Sequence, residues 1–212
     1  MGESVSHVFT EGQIELANGN PFSPADPDPA MVDLACIAHA LGNLTRYGGH
    51  CQTFASVAEH AVRVSMKLRA IGASLSLQFA GLHHDDAEAL NGLGDPQRPA
   101  KALLDPSFRE RERAIDECVW KAIGSLADGT VLWRPGQLHD PLVKRVDSWA
   151  LAFEVSRLML SRGEGWQRDV GAMHPIPTDS EDRVFSLSPV EAKLAFLDHH
   201  FLLCGELVRD RG

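Results

Sequence analysis

Between residues 57 and 71 the apolar positions Val57, Ala61, Val64, Leu68 and Ile71 recur three and four apart, the period of a helix with one buried face. Ser56 stands where an N-cap belongs, and His60 flanks the apolar stripe, where half-burial is expected. The same period predicts helices over 33–44, 75–90, 106–123, 141–161 and 189–207. Asp140 followed by Pro141 reads as a helix start, after which Val143, Asp147, Ala150, Glu154 and Leu158 fall on one face. Residues 13–16 suit a short strand, with 184–187 as a pairing partner. The Pro- and Asp-rich 21–29, the irregular 124–139 and the Gly-, Pro- and Asp-containing 162–186 read as loops, the last as a flap. This pattern predicts an all-α single domain, its core over about 31–207, with a small N-terminal β arm.

Composition narrows the class. A chain of 212 residues with 44% hydrophobic and 23% charged residues suits one core rather than two small ones. No run approaches the roughly 18 apolar residues of a membrane span, and residues 1–10 lack a basic start followed by an apolar stretch. A cytoplasmic protein without membrane contact is the expectation. Cys36, Cys51, Cys118 and Cys204 form no CxxC pair and read as reduced thiols. A net charge of −9 disfavours duplex nucleic acid, which demands many cations facing phosphates. A small anionic ligand needs only a few, and Arg46, Arg98, Lys101 and Lys144 are available.

The chemistry concentrates in Leu82-His83-His84-Asp85-Asp86-Ala87-Glu88-Ala89, too apolar a setting for a solvated charge run. Imidazole and carboxylate together suit a borderline divalent cation. On a continuous helix over 75–90, at roughly 100° per residue, His84 and Glu88 share one side, Asp85 adjoins them and His83 points away. A polar helix end is the plainer alternative. Two more residues weigh against it: His60 beside an apolar stripe, and Asp147 among apolar neighbours, where an unpaired carboxylate costs several kcal/mol. His60, His84, Asp85 and Asp147 therefore form one candidate ligand set.

That order of residues, a His, then His-Asp, then a distant Asp, resembles the HD-domain phosphohydrolase superfamily. More narrowly, Ile37-Ala38-His39-Ala40-Leu41, Arg46-Tyr47-Gly48-Gly49-His50, Ser56-Val57-Ala58-Glu59-His60, His84-Asp85-Asp86-Ala87-Glu88-Ala89, Gly94-Asp95 and Arg98-Pro99-Ala100-Lys101 resemble its bacterial and phage nucleotidase branch, which includes the 5′-deoxynucleotidases. The likeness runs from about Ile14 to Phe201. It implies an HD-type helical bundle holding one divalent metal (manganese, cobalt, iron, zinc or magnesium) on the four ligands. It also implies Glu88 as the catalytic residue at the attacking water, and Asp95 as substrate binder or general acid. Arg46 then meets phosphate, while the Tyr47 ring excludes a ribose 2′-hydroxyl and so selects deoxynucleotides. Two departures stand out: about two extra residues near Asn91 and Gly92, and Asp86 where the branch has a small residue. Relatives form homo-oligomers, so one is expected here.

Three activities follow from the likeness. The first is hydrolysis of the 5′-phosphate of dNMPs. The second is a deoxynucleoside triphosphate triphosphohydrolase, of the phage dATPase kind, with Lys101, Arg98 and Lys144 on the longer phosphate chain. The third is a non-hydrolytic HD-fold oxygenase or binding module, disfavoured because only His139 is available as an extra ligand between Asp85 and Asp147. His39 and His50 stay ambiguous between site and structural roles.

Overall fold

In a computed structural model, residues 9–164 and 186–209 are described. Among them the chain forms seven α-helices: α1 (Leu34–Asn43), α2 (Val57–Ala70), α3 (Leu75–Leu82), α4 (Arg98–Lys101), α5 (Ser107–Ile123), α6 (Pro141–Leu158) and α7 (Pro189–Arg209). The sheet consists of β1 (Ile14–Glu15) and β2 (Pro21–Phe22), antiparallel, with Ile14 opposite Phe22. The all-α class with a small N-terminal β arm is what the hydrophobic pattern predicts. The arm pairs with Pro21 and Phe22, inside the segment 21–29 expected as loop; part of the partner expected at 184–187 lies outside the described residues. A two-residue strand needs only the nearest extended segment. The flap expected over 162–186 lies mostly outside the described residues.

Helix starts follow local chemistry. Asp33, Ser56, Ser74 and Asp140 each accept a hydrogen bond from an otherwise unpaired backbone N–H of the first turn, at 2.6, 3.1, 3.4 and 2.8 Å. α2 lies at the centre and packs against α1, α3, α6 and α7. Ala58, Ala61, Val64 and Leu68 are wholly buried there, with Ile37, Leu41, Phe79, Leu82, Val143 and Phe196 from its neighbours. α3 approaches α2 through Gly81, where an added Cβ would run into the Leu68 and Val64 side chains. The segment 124–139 is irregular as expected, yet it carries core: Leu132 and Trp133 are buried, and the indole stacks on His83 at 4.2 Å between centroids.

The third helix is shorter than its apolar period suggests. It ends at Leu82, and a 3₁₀ turn over Asp86–Ala89 follows a break at 83–85. Side chains cause the break. The His84 Nδ1–H donates to the Gly81 carbonyl at 2.8 Å, and His83 Nδ1 and Asp86 Oδ2 lie 2.6 Å apart. Polar side chains bonding the local backbone compete with the helical ladder in this way. His84 and Asp85 thus sit at a turn, where both side chains can face the same point.

Candidate functional site

Three parts of the chain meet at the candidate centre. His60 comes from the second turn of α2, His84 and Asp85 from the break after α3, and Asp147 from the second turn of α6. His60 is fully buried, more than the half-burial its flanking position implies, because α6 covers it. The His60 Nε2 lies 3.2 Å from Asp147 Oδ1 and 3.8 Å from Asp85 Oδ2, and His84 Nε2 lies 3.7 and 3.3 Å from the same two atoms. His60, His84 and Asp85 each offer a ligand atom within 4.8 Å of the others.

The orientation of each ring shows why the group suits a cation. His84 spends its Nδ1–H on Gly81, so its Nε2 presents a lone pair; that atom is buried and has no hydrogen-bond partner. His60 Nδ1 meets Glu154 Oε1 at 2.8 Å, an imidazole–carboxylate pair of the kind that orients ligating histidines. Two nitrogens and the Asp85 carboxylate therefore lie close together, with Asp147 Oδ1 within 3.7 Å of both nitrogens, and that donor set fits a divalent metal. Where no metal is bound, His60 supplies the positive charge. Burial and Arg46 push its pKa down, but Glu154 and Asp147 outweigh them and lift it to about 9. Burial opposes ionisation of Asp147 and Asp85, yet His60 and His84 hold both carboxyls below their ordinary range. Metal binding would release the His60 proton.

Glu154 is a centre in its own right, two turns beyond Asp147 on the same face of α6. It also takes Arg46 Nε at 3.3 Å and the Tyr47 hydroxyl at 3.2 Å. Burial raises its pKa, but His60 and Arg46 bring it to about 2, so it stays ionised. Arg46 continues to Asp95, Nη1 to Oδ2 at 3.0 Å. Tyr47 sits in a buried cluster with Ala55, Val155 and Leu158, its backbone at φ 56°, and does not line the cavity described next.

A cavity of about 300 Å³ opens beside the centre, with His84, Asp85 and Glu88 on its wall. Glu88 is 6% exposed; Lys101 Nζ holds its Oε1 at 3.1 Å, and its Oε2 is buried without a hydrogen-bond partner. Burial, with Asp85 and Asp95 nearby, pushes its pKa well above the ordinary carboxylate range. Lys101 also bonds Glu112 at 3.2 Å. Arg109, Glu112, Arg113 and Asp116, spaced as one face of α5, complete the wall with His139 and Lys144. Asp116 Oδ1 is buried and unpartnered, and burial with Asp86 and Glu112 lifts its pKa to about 8.

The structure thus brings together His60, His84, Asp85, Asp147, Glu88, Lys101 and Lys144. Arg46 and Asp95 pair with each other behind the ligands. Arg98 is exposed and away from the cavity wall, as are His39 and His50. Sequence reasoning placed Glu154 on the Asp147 face without assigning it a role. The α5 residues went unassigned because each alone resembles a surface charge; their i, i+3, i+4, i+7 spacing was the available signal.

No family model matches this chain. It is similar to the uncharacterized protein YfdR of Escherichia coli (strain K12), 31% identical over 162 residues that cover 76% of this chain and 79% of YfdR.

Proposed function

This chain belongs to the family of YfdR, and as that relative is itself uncharacterized, we propose a function from the site: a divalent-metal-dependent phosphohydrolase of the HD-domain type, acting on deoxynucleotides. The observation that carries this reading is the convergence of His60, His84, Asp85 and Asp147, with the His84 Nε2 buried and unpartnered, beside a cavity whose wall holds His84 and Asp85 together with Glu88 and Lys101. A metal held there supplies Lewis-acid activation of a phosphate oxygen and a water of lowered pKa.

The chain's own residues divide the remaining work. Glu88 takes or returns a proton at Oε2, the oxygen left free while Lys101 anchors Oε1. Lys101 adds positive charge beside it, where a phosphate oxygen gains electrons. Glu154 holds the His60 ring in orientation, and Arg46 ties Glu154 to Asp95. The motif likeness supports the deoxynucleotide part of the reading; Tyr47, buried against Glu154, adds nothing to it from the cavity side.

The 5′-phosphate of a dNMP is the simplest substrate for the metal end. A dNTP cleaved to nucleoside and triphosphate is the second reading, favoured by the cations farther along the cavity wall. The test is to strip the protein of metal, resupply manganese or cobalt, and offer all dNMPs, dNTPs and ribonucleotides, with products separated by chromatography. Nucleoside with phosphate from dNMPs, or with triphosphate from dNTPs, is the expected outcome. No product from any nucleotide overturns the proposal.

A further inference from the structure

α7 packs against α1, α2 and α3 with one side, where Ala192, Phe196, His199, His200 and Leu203 are buried. Its other side is not polar, as the outer face of a surface helix ordinarily is. Val190, Leu194, Phe201, Leu202 and Val208 are 46–67% exposed, and at roughly 100° per residue all five fall within about 120° of arc. Exposed to that degree, they leave roughly 500 Å² of apolar surface on one copy, and two such faces reach the roughly 1,000 Å² at which a specific interface begins. Gly205 lies in the middle of the same face. Glycine weakens a helix interior relative to alanine, yet a Cβ at this position would meet only the end of the Arg209 side chain, at 3.9 Å. Nothing among the described residues requires the missing side chain, whereas a close approach from across the exposed face does.

Charge gives the direction of that approach. Glu191, Asp198 and Arg209 are exposed along one edge of the apolar stripe, Glu191 in the first turn of α7 and Arg209 at its last residue. The other edge is apolar, with Leu197 and Cys204 half-buried. Two copies of a helix packed antiparallel about a twofold axis bring the same edge of each together, while a parallel pair sets each edge against the opposite one. Parallel packing would thus face the charges with Leu197 and Cys204. Antiparallel packing with Leu194 level with Gly205 of the second copy brings Glu191 within one residue of the Arg209 of that copy. The two Phe201 side chains then lie about one turn apart at the centre, and Asp198 stays at the wet rim.

We propose that this face of α7 docks a second copy of the chain as an antiparallel twofold dimer centred between residues 199 and 200, with Leu194 against Gly205 and Glu191 paired to Arg209 across the axis. No residue of α7 lines the cavity, so the inference stands apart from the phosphohydrolase reading.

The experiment is sedimentation equilibrium of the full-length protein at micromolar concentration under reducing conditions. The wild type should sediment at twice the 23.1 kDa of one chain. Leu194→Glu combined with Phe201→Glu, both at exposed positions, should sediment as one chain with an unchanged helical circular-dichroism spectrum. Arg209→Glu alone should raise the dissociation constant several-fold by setting like charges across the axis, and Glu191→Arg added to it should recover most of the loss. A wild type that sediments as one chain overturns the proposal and leaves the face to another segment of this chain or to a different protein. A Leu194→Glu, Phe201→Glu variant that stays dimeric puts the interface elsewhere and overturns it too. Arg209→Glu with wild-type affinity, or a charge swap that recovers nothing, overturns the antiparallel pairing.

Discussion

His60 shows how much one side chain depends on its second nitrogen. Its Nε2 faces the carboxylates at the centre, while its Nδ1 is held by Glu154 at 2.8 Å. Glu154→Gln keeps the shape but replaces a carboxylate with an amide that holds the ring less firmly and makes its nitrogen less basic. Outer partners of this kind are worth about 10–100-fold in metal affinity. The expected result is a loss in that range, read by competition with a chelator, with turnover per bound metal close to wild type. Glu88→Gln should do the reverse. Its oxygens contact Lys101 and the cavity rather than the ligand cluster, so metal content should hold while turnover falls about 100-fold or more. A variant that loses both together would remove Glu88 from the proton-transfer role. The four candidate ligand residues, which the structure brings together, were legible in the sequence because each is a polar residue set against an apolar pattern. The depth of His60 was not, since α6 buries it and residue 60 carries no sign of a contact 94 positions away.

At the scale of elements, the instructive case is the helix that stops early. The apolar period continues past Leu82, but the side chains of His83, His84 and Asp86 bond locally and end it. Period alone reports burial; it does not report competition for backbone partners. The break matters because it sets His84 and Asp85 against His60, and α2 and α3 must approach closely for that. Gly81 permits the approach. In Gly81→Ala the new methyl collides with Leu68 and crowds Val64, so the helices must part. Overpacking of this sort costs about 1–3 kcal/mol. The variant should melt lower by a corresponding amount and bind metal more weakly, because the separated helices carry ligands on both sides. Unchanged metal affinity in a destabilised variant would mean that the break, rather than the helix packing, fixes the ligands. Caps were the easiest features to read: Ser56 and Asp140 each accept the bond their position predicts. The single turn of α4 and the pairing of β1 with β2 were not, since elements so short are fixed by their neighbours.

Across the whole molecule, a seam of histidines joins the candidate metal centre to the C-terminal helix. His83 pairs with Asp86 and, through Nε2, with His200 Nδ1 at 3.0 Å; next to it on α7, His199 Nε2 donates to Ser65 Oγ on α2 at 2.9 Å. All three rings are buried. Burial, reinforced by Arg69 at His199 and by His83 at His200, lowers their pKa values to about 4 and about 3. In the unfolded chain both titrate near 6.5. Between that value and the folded one the unfolded state takes up protons that the folded state refuses. The stability these rings contribute is therefore intact above pH 6.5 and falls as the pH drops toward 4. At pH 5 each ring costs about 2 kcal/mol, a sum on the order of 10 °C in melting temperature for a domain of this size. Melts at pH 7 and pH 5 measure the drop directly. His83, lowered to about 3 by burial and His84, adds a cost of similar size, while Asp116, raised to about 8, acts in the opposite direction; His199→Gln, whose amide can still donate to Ser65 yet takes up no proton, should therefore shrink the change between pH 7 and pH 5 by about 2 kcal/mol. A drop of equal size in that variant would place the acid sensitivity outside His199, since the depressed carboxylates around His60 titrate only below about pH 4, and would separate the stability of the bundle from the seam that ties α7 to α2 and α3.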